Sequence, residues 1–382
     1  MYKTIEELVT KVDERNNGGI VSELIGVSID KCFIKSVANT NGTDLSKYKI
    51  IRKNDFAVSL MQVSRDGKIP VARLEEYEEA IMSPAYPIFR VKRKNVILPE
   101  YLEMWFKRPE FDREAAFIAV GGVRGSMPWE EFAKMKLPVP PIEKQRKIVN
   151  AYKIFTERIA LKKKINDNLA NTEQLILYQA ISKNQTIPLS LNEIAEFIDG
   201  DRGKNYPTFD EFSTSGFCLF LNASNVTSSG FNFDSCMFVT EEKDKIMRNG
   251  HLLLNDIVFT SRGTLGNVAL YDKNIKYKNV RINSGMLIIR PKGINLSPYF
   301  IYALLKSNYM KSAIEQFRSG SAQPQLPIKD LQNITFDIPE SQNVLDDLEH
   351  RFFKIEETIS INKREIGNLS ELASILLARL SR

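Results

Sequence analysis

A regular hydrophobic stripe marks the C-terminal part of the chain. Apolar side chains recur there in alternating steps of three and four residues, the a/d spacing of a heptad repeat. The stripe is interrupted by one asparagine and runs through Leu345, Leu348, Phe352, Ile355, Ile359, Asn362, Ile366, Leu369, Ala373, Leu376 and Leu380. This spacing predicts one long amphipathic helix.

The same stripe occurs 200 residues earlier, through Gln145, Ile148, Tyr152, Phe155, Ile159, Lys162, Asn166, Leu169, Glu173, Ile176 and Ala180. Lys162 falls at the repeat position of Asn362, so both copies are interrupted at the same point. Helices of roughly 35 to 40 residues would reach roughly 50 to 60 Å.

We predict that the two helices form a long antiparallel pair, a coiled coil about a pseudo-two-fold axis. A core-facing helix of a single globular domain is the alternative explanation for such a stripe. The predicted core of the helix pair is Ile148, Tyr152, Phe155, Ile159, Leu169, Ile176, Leu348, Phe352, Ile355, Ile359, Ile366, Leu369 and Leu376.

The segments that precede the two helices also repeat. Each begins with a capping-box pattern, Thr4-x-x-Glu7 in the first and Ser190-x-x-Glu193 in the second, which predicts a short helix. Further matching features follow in the same order: Asn54-Asp55 and Asn255-Asp256, Arg65-Asp66-Gly67 and Arg262-Gly263-Thr264, Val71-Ala72 and Val268-Ala269, Ile88-Phe89-Arg90 and Ile288-Ile289-Arg290, and Leu137-Pro138-Val139-Pro140 and Phe336-Asp337-Ile338-Pro339.

Strand-like clusters interrupted by helical stretches indicate an α+β fold rather than alternating βα units. We therefore predict two pseudo-repeated globular domains separated by the helix pair. The predicted boundaries are 1–142 for the first domain, 143–187 for a central helix, 188–339 for the second domain and 340–382 for a C-terminal helix.

Composition is consistent with this organisation. The chain has 382 residues, 43% of them hydrophobic and 26% charged, which suits two folded domains. It contains no apolar run of the roughly 18 residues that a membrane span needs. The acidic start Met1-Tyr2-Lys3-Thr4-Ile5-Glu6-Glu7 is unlike a signal peptide, so we expect a cytoplasmic protein without a membrane partner.

The residues offer few means of catalysis. There are two histidines, His251 and His350, and three widely spaced cysteines, Cys32, Cys218 and Cys236, which fit neither a zinc site nor a disulfide framework. No phosphate-binding loop or dinucleotide fingerprint is present. We therefore expect no catalytic residues, no metal and no cofactor on this chain.

Polar and basic residues of the types that contact bases and phosphates are concentrated in the turns. The candidate DNA-binding residues are Gln62, Arg65, Lys68, Arg124 and Ser126 in the first domain, and Arg202, Lys204, Asn222, Ser224, Asn225, Arg262, Arg318, Ser321, Gln323 and Gln325 in the second. The scaffold residues agree between the copies whereas these loops differ. That pattern favours two similar domains that read different short sequences.

Three stretches resemble the specificity (S) subunits of type I restriction-modification enzymes. They are the strand-turn-strand sequence Asn255–Ala269, the loop and strand of Gly320–Pro339, and the proline-rich start of a long helix at Leu137–Ile148. The resemblance spans essentially the whole chain. It departs at Pro339-Glu340-Ser341-Gln342, and at Arg65-Asp66-Gly67-Lys68, where the second copy has Arg-Gly-x-x-Gly.

This resemblance implies two target-recognition domains, two spacer helices and an assembly with two methyltransferase (M) subunits on double-stranded DNA. For cleavage, ATP-driven restriction (R) subunits would join. S-adenosylmethionine would bind to the methyltransferase partner, and ATP with Mg to the motor/nuclease partner. This chain would supply a two-part DNA address with an unread gap between its halves.

Two other functions stay open from the residues alone. A scaffold or adaptor could use the coiled coil to assemble partners without reading DNA. The chain could also be a small nuclease or methyltransferase, in which case the purified chain alone would cleave or methylate DNA.

Overall fold

The computed structural model describes residues 1–36, 43–61, 63–121, 125–293, 296–317 and 325–381. The chain forms two compact units. The first contains Met1–Ala160 and Ile366–Arg382, and the second contains Leu161–Glu365. Each unit therefore combines one globular segment with parts of both predicted long helices.

The strands of the first unit are short. They are β1 (Tyr2–Thr4), β2 (Val9–Val12), β3 (Ile25–Val27), β4 (Phe33–Lys35), β5 (Lys49–Arg52), β6 (Phe56–Val58), β7 (Val71–Arg73), β8 (Glu79–Met82), β9 (Ile88–Val91) and β10 (Lys136–Pro138). Its helices are α1 (Ile5–Leu8), α2 (Val63–Asp66), α3 (Pro99–Phe106), α4 (Pro109–Ile118), α5 (Trp129–Lys134) and α6 (Ile142–Lys183), which continues into the second unit.

An antiparallel sheet in the order β2-β9-β6-β7 is the centre of this unit. Aromatic side chains from its strands pack against the helices that follow. Phe56 and Phe89 stack with ring centroids 5.2 Å apart, and Phe106 from α3 meets both edge-on. Three further antiparallel pairs belong to this unit: β1-β10, β3-β4 and β5-β8.

The second unit has the strands β11 (Thr186–Ser190), β12 (Ala195–Asp199), β13 (Cys218–Leu221), β14 (Val226–Thr227), β15 (Gly230–Phe231), β16 (Met237–Val239), β17 (Ile257–Thr260), β18 (Val268–Leu270), β19 (Val280–Ile282), β20 (Met286–Pro291) and β21 (Thr335–Pro339). Its helices are α7 (Leu191–Ile194), α8 (Glu241–Ile246), α9 (Pro298–Lys306), α10 (Asn308–Phe317), α11 (Ile328–Gln332) and α12 (Gln342–Ala378).

The central sheet of the first unit recurs here. It is antiparallel with the order β12-β20-β17-β18, which corresponds strand for strand to β2-β9-β6-β7. The second unit adds a sheet in the order β16-β13-β19, in which β13 and β19 run parallel, and a hairpin of β14 and β15. The pair β11-β21 likewise matches the pair β1-β10 of the first unit. The α+β fold and the repeat predicted from the sequence are therefore present, and the copies differ in the smaller sheets beside the shared one.

The start of each copy is built as the capping-box pattern predicts. The backbone N–H of Thr4 donates to Glu7 Oε2 and that of Ser190 donates to Glu193 Oε2, each at 2.7 Å. Each box starts a single helical turn that leads directly into a strand of the central sheet. These contacts satisfy N–H groups that the first turn of a helix leaves without partners.

A buried aspartate stands directly before an inner strand of each sheet, Asp55 before β6 and Asp256 before β17. Asp55 accepts two hydrogen bonds from Arg90 (2.6 and 2.8 Å), and Asp256 accepts two from Arg290 (2.8 and 2.7 Å). The preceding residue, Asn54 or Asn255, has a positive φ of 70° or 74°. An asparagine tolerates that left-handed conformation better than most residues, which explains the repeated Asn-Asp pair.

The two long helices are continuous over 42 and 37 residues. In the first unit, the side chain of Gln145 fastens the start of α6. It accepts from the backbone N–H of Leu98 (2.9 Å) and donates to the carbonyls of Val96 and Pro140 (2.8 Å each). The second copy has the buried Leu345 at this repeat position.

The helix ends differ from the predicted segment boundaries. Helix α6 ends at Lys183, and Thr186 and Ile187 already pair with Pro339 and Ile338 in the β11-β21 ladder. The predicted helical segment 143–187 therefore runs past the observed helix. The C-terminal helix was predicted to begin at residue 340. Helix α12 begins at Gln342, and a 3-10 turn from Arg379 to Ser381 follows it.

Candidate DNA interface and helix pair

Two candidate residues of the second unit lie side by side although 63 positions separate them in the sequence. Arg262 follows strand β17 and forms an antiparallel bridge with Gln325. The backbone N–H of Leu326 donates to the Ser261 carbonyl (3.2 Å), which holds the two segments together. Arg262 and Gln325 are both exposed, so their side chains are on an accessible surface.

A turn before β20 joins this group. The Gly285 carbonyl accepts hydrogen bonds from the backbone N–H of Ser261 (3.0 Å) and of Arg262 (3.2 Å). The guanidinium of Arg202, at the end of β12, donates to the neighbouring Ser284 carbonyl (3.2 Å) and to Asp199 (3.0 Å). Arg202 thus positions the turn, while Lys204 nearby in the chain is exposed.

The approach of the β12 end to this turn requires a glycine. A Cβ on Gly200 would collide with the backbone carbonyl of Asn283. The next residue, Asp201, accepts from the backbone N–H of Gly203 (2.8 Å) and of Arg248 (2.9 Å). These two hydrogen bonds lower the pKa of Asp201 and keep its carboxylate within the loop.

The three candidates at 222, 224 and 225 have different environments. Asn222 Oδ1 accepts from the backbone N–H (2.9 Å) and hydroxyl (2.6 Å) of the exposed Ser224. Asn225 is 1% exposed, and its amide donates to the carbonyls of Asn232 (3.0 Å) and Ser235 (2.8 Å). Asn225 therefore holds a turn together and offers no side chain to DNA in this conformation, contrary to the expectation from its residue type.

The candidates of the first unit lie around the short helix α2. Arg65 and Lys68 are exposed, and Arg65 Nε forms an ion pair with Asp66 at 2.7 Å. This hydrogen bond lowers the pKa of Asp66. Ser126 is half-buried beside Gly125, and at the next residue the Met127 N–H donates to the Leu60 carbonyl (2.9 Å).

We call the loops that follow β6 and β17 the candidate reading loops, and the strand registers define how these two loops correspond. Val58 pairs with Val71 in the first unit, and Phe259 pairs with Val268 in the second. The segment between these paired residues spans 59–70 in the first copy and 260–267 in the second, so the first is four residues longer. Counted from the preceding strand, Met61 corresponds to Arg262. Arg65 corresponds to Arg262 only when counted back from the following strand.

Five candidates fall outside the described residues: Gln62, Arg124, Arg318, Ser321 and Gln323.

The stripe positions of both helices are all buried or half-buried. In the first unit, Ile148, Tyr152 and Leu376 pack against the main apolar core. In the second, Leu348 and Phe352 belong to the core and Ile176 packs against it. Phe155, Ile159, Leu169, Ile355, Ile366 and Leu369 are half-buried, and Ile359 is buried.

The sequence stripe missed two fully buried leucines, Leu177 and Leu377. They hold the same repeat position and follow the half-buried Ile176 and Leu376 directly. A straight α-helix drifts by about 20° per heptad relative to a strict seven-residue pattern. Far from the centre of the stripe the next residue therefore turns inward, and a 3.6-residue period would have identified it.

Polar residues meet within the helix pair of the second unit. Lys162 Nζ donates to Asn362 Oδ1 (2.8 Å) and forms an ion pair with Glu365 (2.8 Å). The amide of Asn362 in turn donates to Asn166 Oδ1 (2.8 Å). From Lys162 to Asn166 the partner on α12 moves back from Glu365 to Asn362, so the two helices are antiparallel here.

A second polar cluster connects both helices with α9. Lys306 Nζ donates hydrogen bonds to Glu173 Oε2 on α6 and to Glu356 Oε1 on α12, each at 2.6 Å. Glu173 is fully buried, and this burial, helped by the charge of Glu356, raises the pKa of Glu173 to about 8. The sequence pattern placed Glu173 on the inward face of the helix but gave no indication of Lys306 as its partner.

An apolar groove of about 660 Å³ lies in the second unit between α6, the junction of α9 and α10, and β21. Leu175, Tyr178 and Tyr309 on its walls are 61%, 69% and 57% exposed, which is unusual for such large apolar side chains. The remaining lining residues are Asn171, Gln174, Leu177, Ile181, Ser182, Leu304, Ser307, Asn308, Phe336 and Asp337.

Within the described residues, no group of His, Cys, Asp and Glu side chains is arranged to hold a metal ion. The described cysteines form no disulfide bond. Burial raises the pKa of the Cys218 thiol, which makes this thiol a poor nucleophile. None of the described helices has a sufficiently long apolar stretch to cross a membrane.

Comparison with known proteins gives three concordant similarities. A sequence model of the type I restriction modification DNA specificity domain matches residues 3–171 and again residues 188–369. The type I restriction enzyme MjaIX specificity subunit of Methanocaldococcus jannaschii is 21% identical over 304 residues, which are 75% of this chain and 69% of that protein.

The third similarity is to a crystal structure, that of the S subunit of a type I restriction-modification system from M. genitalium. The superposition has a TM-score of 0.62 at 17% identity and covers 100% of this chain and 96% of the other. At this level of identity the structural likeness concerns the fold. The double match of the sequence model agrees with the repeat seen in the two sheets.

Proposed function

Because this chain belongs to the family of type I restriction-modification specificity subunits, we propose that it is the non-catalytic, DNA-reading subunit of such a complex in the cytoplasm. Each globular domain reads one half of a bipartite target in double-stranded DNA. The helices set the gap and dock two methyltransferase subunits. S-adenosylmethionine binds to those partners, and ATP with Mg binds to restriction subunits where they are present.

One observation carries the proposal: the same four-stranded sheet and Asp–Arg ion pair occur twice, with different loops at the ends of their strands. A repeated scaffold with changed loops is expected when two domains do one task on different sequences. Arg262 and Gln325 form the accessible part of one such loop group. Arginine and glutamine are side chains that contact guanine and adenine edges in the major groove.

The proposed role of the helices rests on their length. Uninterrupted helices of 42 and 37 residues rise about 60 Å and 55 Å at 1.5 Å per residue. Neither contains an internal proline. Rigid helices of this length can fix a separation between two half-sites, as protein geometry does in dimeric DNA-binding proteins.

The proposed docking of methyltransferase subunits is supported by apolar surface that the chain itself leaves uncovered. Leu175 and Tyr178 on α6 face the groove, and Ile361, Leu372 and Ile375 on α12 are between 42% and 48% exposed. The apolar groove that Leu175 and Tyr178 line is the kind of exposed surface that a protein partner covers.

Mapping of methylated adenines tests the proposal. Cells that contain the methyltransferase subunits with this chain should methylate a two-part sequence with a fixed gap, and cells without this chain should not. The purified chain alone should transfer no methyl group. Methylation that is independent of the chain, or that follows one uninterrupted sequence, would contradict the proposal; DNA-independent assembly alone would favour an adaptor.

A further inference from the structure

Three large apolar side chains of the first unit are exposed beside the candidate reading loop. Met61 is 63% exposed, Phe117 is 80% exposed and Val120 is 74% exposed. Phe117 in the last turn of α4 and Val120 in the 3-10 turn that follows are three residues apart, so they lie on neighbouring positions of one side. We call these three residues the apolar tip.

The elements that carry the apolar tip are packed together. Helix α2, which begins two residues after Met61, contacts both α4 and the 3-10 turn Ala119–Gly121. The N–H of Met127 holds the Leu60 carbonyl at 2.9 Å, immediately before Met61. The exposed cations Arg65 and Lys68 extend from the same loop.

These side chains are not needed for the core of the unit. Helix α4 buries Phe111 and Ala115, and the following turn buries Ala119. These three positions are four residues apart and define the inward face. Phe117 and Val120 lie off that face, where solvent reaches them.

The second copy has polar residues at the matching places. Its helices align with the first copy through buried residues: Met310 and Ile314 take the places of Phe111 and Ala115. In this alignment the exposed Gln316 stands where the first copy has Phe117, and Arg262 stands where it has Met61. One copy therefore presents hydrogen-bonding groups where the other presents apolar ones.

B-DNA presents one prominent apolar group in its major groove, the C5 methyl group of thymine. We infer that the apolar tip reads thymine methyl groups, so that the first domain recognises its half-site partly through apolar contacts. The inference rests on the proposed function, because it needs the first domain to face DNA. Arg65 and Lys68 would hold the adjoining phosphates.

Uracil is the direct probe, since it differs from thymine only by lacking this methyl group. The assembled complex of this chain with its methyltransferase subunits is titrated with the mapped target duplex and with duplexes carrying uracil for thymine in one half-site. Residues 1–142 are first replaced by another recognition domain. The half of the target that changes is the half-site of the first domain. Uracil at a contacted position there should weaken binding about four-fold, the effect of one buried methyl group.

Protein variants then locate the contact. Phe117→Ser and Met61→Ser should bind thymine and uracil duplexes equally, whereas Ile20→Ser should keep the wild-type preference. Ile20 is the matched control because it is 84% exposed in the same unit but lies outside the reading loops. Equal binding of both duplexes by the wild type, or a half-site without thymine, would overturn the inference.

Loss of methyltransferase assembly in Phe117→Ser, with unchanged preference for thymine, would overturn it in favour of a protein-binding surface. Failure of the proposed function would give a different result, because the complex would then methylate a bipartite sequence in none of the duplexes.

Discussion

Lys162 and Asn362, which hold the same position in the repeat 200 residues apart, are joined by a hydrogen bond of 2.8 Å. Equivalent positions of two antiparallel copies meet at one place only along a helix pair. A polar residue at such a place can fix the register of the helices, because a shifted pairing would bury its polar group against apolar side chains.

We expect Lys162→Met and Asn362→Leu each to lower the free energy of unfolding by about 1 kcal/mol, since each leaves a polar neighbour without its partner. The double variant should lose less than the sum, by about 0.5 to 1 kcal/mol. Urea unfolding of the four proteins measures this coupling. The exposed pair Lys153 and Glu157 on α6 is the control and should show almost none.

The buried Glu173 should make stability depend on pH. Its pKa is about 8 in the folded chain, against an ordinary value of 4.5. Between these values the folded state binds one more proton than the unfolded state. The free energy of unfolding therefore falls as pH rises through this interval, by at most about 1.4 kcal/mol per pH unit, and levels off above it.

Glu173→Gln retains the shape of the protonated acid and should remove this dependence. Thermal unfolding from pH 5 to pH 9 should show the variant becoming progressively more stable than the wild type. Glu357→Gln on α12, where Glu357 forms a half-exposed pair with Lys273, is the control and should give a constant difference. Parallel curves for Glu173→Gln and the wild type would refute the assigned protonation.

Arg262→Ala should relax recognition of one half-site only. A good bidentate contact discriminates between bases by roughly 1 to 3 kcal/mol, so the preference at one base pair should fall about five-fold to 150-fold. Sequencing of methylated DNA reads this out, and gel filtration with the methyltransferase subunits should show intact assembly. Lys278→Ala, away from the candidate loops, should leave the mapped target as it was.

Shortening both helices by one heptad should shorten the gap. Deletion of residues 153–159 together with 367–373 removes about 10 Å, which equals about three base pairs of B-DNA. The methylated sequence should keep both halves and lose about three positions between them. Deletion in one helix alone puts the two hydrophobic stripes out of register and should impair assembly. If the double deletion leaves the gap in the target unchanged, the helices do not determine the gap length.

Local patterns predicted much of this molecule. The capping boxes at Thr4 and Ser190 involve residues three apart, so their geometry follows from the sequence alone. The heptad stripe identified the inward faces of both helices because burial depends on a regular period. The Asn-Asp pairs marked the same strand in both copies.

Contacts between distant segments were less accessible to prediction. Asn225 looked like a residue for DNA contact, yet carbonyls of a neighbouring turn bind its amide. No sequence pattern indicated that Lys306 donates a hydrogen bond to Glu173, 133 residues earlier. The pairing of Arg65 with Arg262 depended on which strand the count started from, because the two loops differ by four residues.

Each Asp–Arg ion pair joins the start of β6 or β17 to the neighbouring strand, and the candidate reading loops begin at the other end of β6 and β17. A loop can therefore lengthen, shorten or change its side chains without disturbing the ion pair that steadies its strand. Mutations can therefore change the loop of one domain while the loop of the other domain remains unaltered. If the proposed function holds, new specificities arise one half-site at a time, by exchange of one segment rather than by replacement of the whole protein.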